Sequence, residues 1–159
     1  MKNNIFNDDF QDFLHAFNKC DVHYLLVGGY SVILHGYPRT TGDMDLWVEK
    51  SQDNYKKIVK AFTLFGMPIF DMTEDNFLNN KALDVFSFGR PPVSIDVLTQ
   101  VKNLIFNESY LKCIHYQVDE TLSIKLIHYE DLITVKKAVG RPRDINDIEN
   151  LEKGREVIS

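Results

Sequence analysis

The residues that could do chemistry in this chain are a glycine pair and a set of aspartates on segments that otherwise read as core. In LVGGYSVILHGYPRTTGDMDLWVE, residues 26–49, an apolar run ends in Gly28-Gly29, and a second apolar segment then opens with Asp43 and Asp45. Side chains alternate across a strand, so Asp43 and Asp45 share one face and Met44, Leu46 and Val48 take the other. Their Cα atoms stand roughly 6–7 Å apart at ~3.3 Å per residue. Two carboxylates brought within ~4 Å repel by about 4 kcal/mol at an effective dielectric near 20. Unless a cation sits between them, one takes up a proton. Hard divalent ions such as Mg²⁺ suit this oxygen-only setting and share their remaining positions with water and substrate phosphates.

A third carboxylate would complete a two-metal clamp, and Asp96 in SIDVLT is the candidate: Ile95 and Val97 must turn to the core, which leaves Asp96 on the other face. Asp84, in ALDVF, repeats the local pattern more weakly. The glycine pair would let backbone N–H groups approach a phosphate at the start of a helix. Each feature has a plainer reading: an Asp-x-Asp can be a solvated strand edge, and Gly-Gly a tight strand-to-helix turn. A basic stretch, VKKAVGRPRD (135–144), carries Lys136, Lys137, Arg141 and Arg143. Lys136 falls four residues after Leu132, on the border of the core face, where it either reaches into a cleft or snorkels to solvent. Arg39 is either a phosphate contact or an ion-pair partner for the aspartates. The histidines at 15, 23, 35, 115 and 128 are scattered, and no Ser-His or Cys-His arrangement stands out.

Positioning these groups falls to a recognisable series of elements. Phe6, Phe10, Phe13, Leu14 and Phe17 mark an amphipathic helix. A strand over 23–27 leads into a short helix from Gly28 to Leu34, which stops at His35-Gly36-Tyr37-Pro38. A strand follows over 43–49, then a helix capped by Ser51 and running to Phe65, with Ile58, Phe62 and Phe65 on one stripe. Residues 82–89 and 93–99 alternate as strands around the turn Gly89-Arg90-Pro91-Pro92. Two short strands are expected within 111–127 and a helix over 129–139 ending at Gly140. Pro142 suits the first turn of a last helix whose apolar positions are Ile145, Ile148 and Leu151. Interleaved strands and helices predict an α/β or α+β domain with a mixed sheet.

The 159 residues suit one domain, long enough to bury roughly 70% of its unfolded surface without a disulfide or metal staple. Cys20 and Cys113 lack metal-ligand spacing and read as free thiols of a reducing compartment. The N-terminal MKNNIFNDDFQDF shows no signal-peptide pattern, and no apolar run approaches the ~20 residues of a membrane span. A cytoplasmic protein is therefore expected. The net charge of −5 disfavours a broad nucleic-acid surface, although not a local phosphate site.

Taken in order, GGYSVILHGYPRTTGDMDLWV resembles the Gly-Gly…Asp-x-Asp signature of the DNA polymerase beta-like nucleotidyltransferase superfamily. GRPPVSIDVLT resembles that family's later strand with its third aspartate, and LITVKKAVGRPRDINDIENL resembles the tail of small bacterial members, including nucleotidyltransferase toxins of toxin–antitoxin and abortive-infection systems. The resemblance covers residues 23–152. It implies a nucleotidyltransferase fold, a mixed β-sheet flanked by helices, over 1–159, with C-terminal helices (128–153) packed on it. It implies that Gly28 and Gly29 hold a nucleoside triphosphate, that Asp43 and Asp45 ligate two Mg²⁺ ions (with Mn²⁺ as substitute), and that Asp96 ligates the catalytic metal and helps deprotonate the attacking hydroxyl. Lys136 would touch phosphates, assisted by Arg39 or Arg141. Many members have serine directly after the glycine pair; here Tyr30 stands there and Ser31 follows, so Ser31 is the hydroxyl left for that contact. Nucleotidyl transfer needs positioning and charge neutralisation rather than a covalent nucleophile, in keeping with the residues found. The acceptor is an RNA end, a protein side chain or a small molecule. The rival reading is a non-catalytic module that binds nucleotide or protein; a masked toxin would add an antitoxin-like protein partner.

Overall fold

A computed structural model of the protein describes residues 4–90 and 93–158. The chain runs α1 (Asp8–Lys19), β1 (Tyr24–Val27), α2 (Gly28–Leu34), β2 (Met44–Val48), α3 (Gln52–Phe65), α4 (Glu74–Leu78), β3 (Val85–Arg90), β4 (Val93–Leu98), α5 (Phe106–Leu111), β5 (Ile114–Gln117), β6 (Ser123–Leu126), α6 (Tyr129–Val139) and α7 (Pro142–Ile158). Helix starts follow local side-chain chemistry: the oxygens of Asn7, Ser51 and Thr73 accept from backbone N–H groups of the first turns of α1, α3 and α4. Gly66 and Gly140 end α3 and α6 in the left-handed conformation. The Pro91-Pro92 part of the expected β3–β4 turn lies outside the described residues.

The strands form one six-stranded mixed sheet in the order β3-β4-β2-β1-β6-β5. β2 pairs antiparallel with β1 and parallel with β4, so the two acid-bearing strands are neighbours at its centre. Alternation divides the sheet into two faces. Tyr24, Leu26, Met44, Leu46, Val48, Ile95 and Val97 join the large core beneath α1, α3 and α4, where Phe13, Phe17 and Phe62 are fully buried. Leu25, Val27 and Trp47 join a smaller core with Leu132 of α6 and Leu151 of α7. Asp45 belongs to this second face, one alternation from Trp47.

Asn54 locks the edge of this layout. Its fully buried amide accepts from His23 N–H (2.8 Å) and donates to the carbonyls of His23 (3.1 Å) and Glu49 (2.8 Å), joining the start of β1 to the end of β2. One expectation fails in α7: Ile145 is half exposed, and the inward face is instead Asp144, Asp147 and Leu151. The helix turns carboxylates inward because buried cations lie opposite them.

Candidate active site

Alternate rungs of the central sheet carry the acids. Asp45 and Asp96 are direct partners across the parallel β2–β4 pair, and Asp45 also faces Val27, the last residue of β1. Two residues earlier, just before β2, Asp43 accepts a 2.7 Å hydrogen bond from Ser94 Oγ. Asp43 is exposed, whereas Asp45 and Asp96 are half-buried. Burial, then the charges of Asp96 and Asp43 and a hydrogen bond shared with Asp96, push Asp45 up from 3.8 to about 7, a rise that the charge of Lys136 opposes. Asp96 Oδ1 is buried and accepts no hydrogen bond. Among the described residues no three His, Cys, Asp or Glu side chains converge closely enough, as they stand, to hold a metal ion. The arrangement is therefore an acid pair with a third acid at its edge, turned to Ser94. Asp84 stands apart: exposed ahead of β3, it lies three residues from Ser87, the cross-strand partner of Asp96.

The glycine pair begins α2 immediately beside Asp45. Gly28 has φ +70°, and a Cβ there would come within 2.1 Å of Asp45 Oδ2, so this turn accepts only glycine. A Cβ on Gly29 would meet Thr41 Oγ1 at 2.3 Å. Tyr30 is drawn into the core, stacked on Phe6 with ring centroids 5.0 Å apart and edge-on to Phe10. Ser31 is fully buried, and its Oγ donates to Gly28 O at 2.6 Å. That proton braces the turn.

The sequence-predicted cations also gather here, already in ion pairs. Lys136 is buried, with Nζ 3.1 Å from Asp144 Oδ1 and 2.9 Å from Asp147 Oδ2. Arg39 spans Asp147 through Nε (2.9 Å to Oδ1) and Nη2 (3.1 Å to Oδ2), while Nη1 donates to Thr40 O. Arg141 donates to Asp144 through Nε at 2.8 Å, Nη2 at 3.3 Å and its backbone N–H at 3.1 Å. Burial alone would raise Asp144, but bonds from Arg141 and Lys136 hold it down at about 2. The bond to Asp144, aided by the charges of Asp144, Asp147 and Asp45, raises Arg141. The structure thus brings Gly28, Gly29, Asp43, Asp45, Asp96, Lys136, Arg39 and Arg141 to one end of the sheet. Sequence reasoning passed over Ser94, Asp144 and Asp147. The signal for the last two was only general: Lys136, on a core-facing border, needs a buried carboxylate opposite it, and nothing in the sequence says which.

A glycine turn leaving β1, an acid strand antiparallel to it and a second acid strand parallel to the first constitute the nucleotidyltransferase fold. The crystal structure of the lincosamide antibiotic adenylyltransferase LnuA, lincomycin-bound, shares it, with a TM-score of 0.60 and 18% identity over 94% of this chain and 98% of that chain. The model of a family described as nucleotidyltransferase of unknown function (DUF6036) matches residues 9–155, and the chain belongs to that family. No curated protein matches it in sequence.

Proposed function

We propose that this protein is a cytoplasmic, Mg²⁺-dependent nucleotidyltransferase that moves a nucleoside monophosphate from a nucleoside triphosphate to a hydroxyl acceptor. The observation that carries this reading is the Asp45–Asp96 rung beside Gly28: two carboxylates kept close together, one pushed up to about 7 and the other with a buried oxygen lacking a donor. Such a pair lacks positive charge, and its all-oxygen donor set fits a hard divalent ion. Asp45 and Asp96 would hold Mg²⁺, or Mn²⁺ in its place, and Asp43 would join them on exchanging its Ser94 bond for the ion. Two bound ions would neutralise triphosphate charge and acidify the acceptor hydroxyl.

The remaining work belongs to the chain. Backbone N–H groups of Gly28 and Gly29 receive the phosphates, with Ser31 bracing the turn. Arg39, Lys136 and Arg141 supply positive charge where the leaving pyrophosphate develops its own. Asp96 takes the proton of the acceptor hydroxyl as that oxygen bonds to the α-phosphorus and the bond to pyrophosphate breaks. A small-molecule acceptor fits best, as for the lincosamide acted on by LnuA. Set against Asp144 and Asp147, the cationic cluster keeps one net positive charge, which suits a local phosphate site and is too little to track a nucleic-acid backbone. Protein and RNA acceptors, and an antitoxin-like partner, are tested in the same assay.

Purified protein is incubated with each labelled nucleoside triphosphate, Mg²⁺ and fractionated cell extract, and labelled product is sought in the RNA, protein and small-molecule fractions. Transfer that disappears in Asp45→Asn supports the proposal; transfer that survives it refutes the acid site. Absence of both transfer and Mg²⁺-dependent nucleotide binding favours the non-catalytic module.

A further inference from the structure

The cations of the site are all held from one helix. Asp144 and Asp147 lie one turn apart near the start of α7, at 1% and 0% exposure. Asp147 grips two cations from distant parts of the chain, Arg39 through both oxygens and Lys136 through Oδ2. Asp144 shares Lys136 and receives three hydrogen bonds from Arg141. Three positive charges against two negative ones leave the group one charge positive.

The group's reach into the site is visible at both ends. The charge of Lys136 reaches Asp45, and the charge of Asp45 reaches Arg141. On the other side, Arg39 Nη1 stands 3.3 Å from where a Cβ on Gly29 would lie. The Arg141 side chain is 61% exposed, and among the described residues its Nη1 makes no hydrogen bond, so its outer edge is open to an incoming anion. A buried ion network is a poor way to gain stability, because desolvation offsets most of the attraction. Fixed cations beside a site where negative charge accumulates have another use: they need no reorganisation when the charge arrives.

We propose that Asp144 and Asp147 are positioning residues for the triphosphate: from α7 they orient Lys136, Arg39 and Arg141 into one preset cationic array facing the glycine turn and the acid pair. This inference rests on the nucleotidyl-transfer reading and extends it to residues that touch no substrate.

The test uses the full chain and inorganic tripolyphosphate with Mg²⁺, read by titration calorimetry, so that neither the base nor the acceptor need be known. Asp147→Asn keeps the volume and removes the charge; affinity is expected to fall tenfold or more. Asp147→Glu, which restores the charge, is expected to recover a substantial part of that loss. Asp144→Asn should weaken binding three- to tenfold, and Arg143→Ala, an exposed cation outside the network, should stay within twofold of wild type. Circular dichroism checks the fold of each variant. A purely structural role would lower the melting temperature and leave the affinity of folded protein unchanged, and that outcome overturns the inference. So does failure of both Asp147→Asn and Asp144→Asn to fold, which would make the pair a requirement of the fold. A wild-type protein that binds no tripolyphosphate defeats the nucleotidyl-transfer reading itself; wild-type binding unchanged in folded variants defeats only the role given to Asp144 and Asp147.

Discussion

Replacing Asp45 by asparagine should make the metal-free protein more stable while abolishing transfer. In the folded state its carboxyl titrates at about 7 rather than 3.8. The gap of about 3 pH units, at 1.36 kcal/mol each, sets a ceiling of about 4 kcal/mol on the cost of ionising Asp45 in place. Between these pH values the folded state binds more protons than the unfolded state, so the Asp45 contribution lowers stability as pH rises from 4 to 7. The half-buried pair can admit water and rotate, so about half the ceiling, ~2 kcal/mol, is expected at pH 8, equivalent to about 4–8 °C in Tm. The assay is thermal unfolding of wild type and Asp45→Asn between pH 4 and 8, in chelator and then in Mg²⁺. The two curves should meet near pH 4 and diverge towards pH 8, with the variant higher. Mg²⁺ should raise the wild-type curve and leave the variant unmoved. Curves that stay parallel across the range would refute the argument, since Asp45 would then ionise as easily in the fold as in the unfolded chain.

Gly28→Ala would put a methyl group against Asp45 Oδ2 at a positive φ; a loss of more than about 2 kcal/mol in denaturant unfolding is expected, together with loss of transfer. Ser94→Ala removes the hydroxyl that orients Asp43 and should raise the Mg²⁺ concentration for half-maximal transfer about tenfold, with little change in Tm. Asn54→Ala leaves His23 N–H and Glu49 C=O without their amide partner, while His23 C=O keeps its bond from Glu49 N–H; it should cost about 2–3 kcal/mol in urea unfolding and leave the nucleotide KM unchanged.

The acid strands were legible because a period of two is a local property: once 43–48 is read as a strand, Met44 and Leu46 must oppose Asp43 and Asp45, as the two cores confirm. The Asp45–Asp96 pairing is not local. It needed the resemblance, because nothing within SIDVLT says which strand it joins. The helix over 142–158 shows the opposite failure. Reading Ile145, Ile148 and Leu151 as its apolar stripe follows the usual rule, yet Asp144 and Asp147 take the buried side because Arg39 and Lys136 are there to receive them. The partner of Asp147 is 108 residues away in sequence, and no pattern within one helix contains that information. Helices α4 and α5, of five and six residues, are too short for a helical period to emerge from their neighbours.

The reliance of Arg39 and Lys136 on α7 has a consequence for how the protein is made. Synthesis runs from the N-terminus, so every strand of the sheet leaves the ribosome before the two carboxylates that satisfy those cations. Until then a nascent product carries Arg39 and Lys136 without the Asp147 that pairs with both in the finished molecule. The last helix thus completes the electrostatics of a sheet whose strands are all made before it.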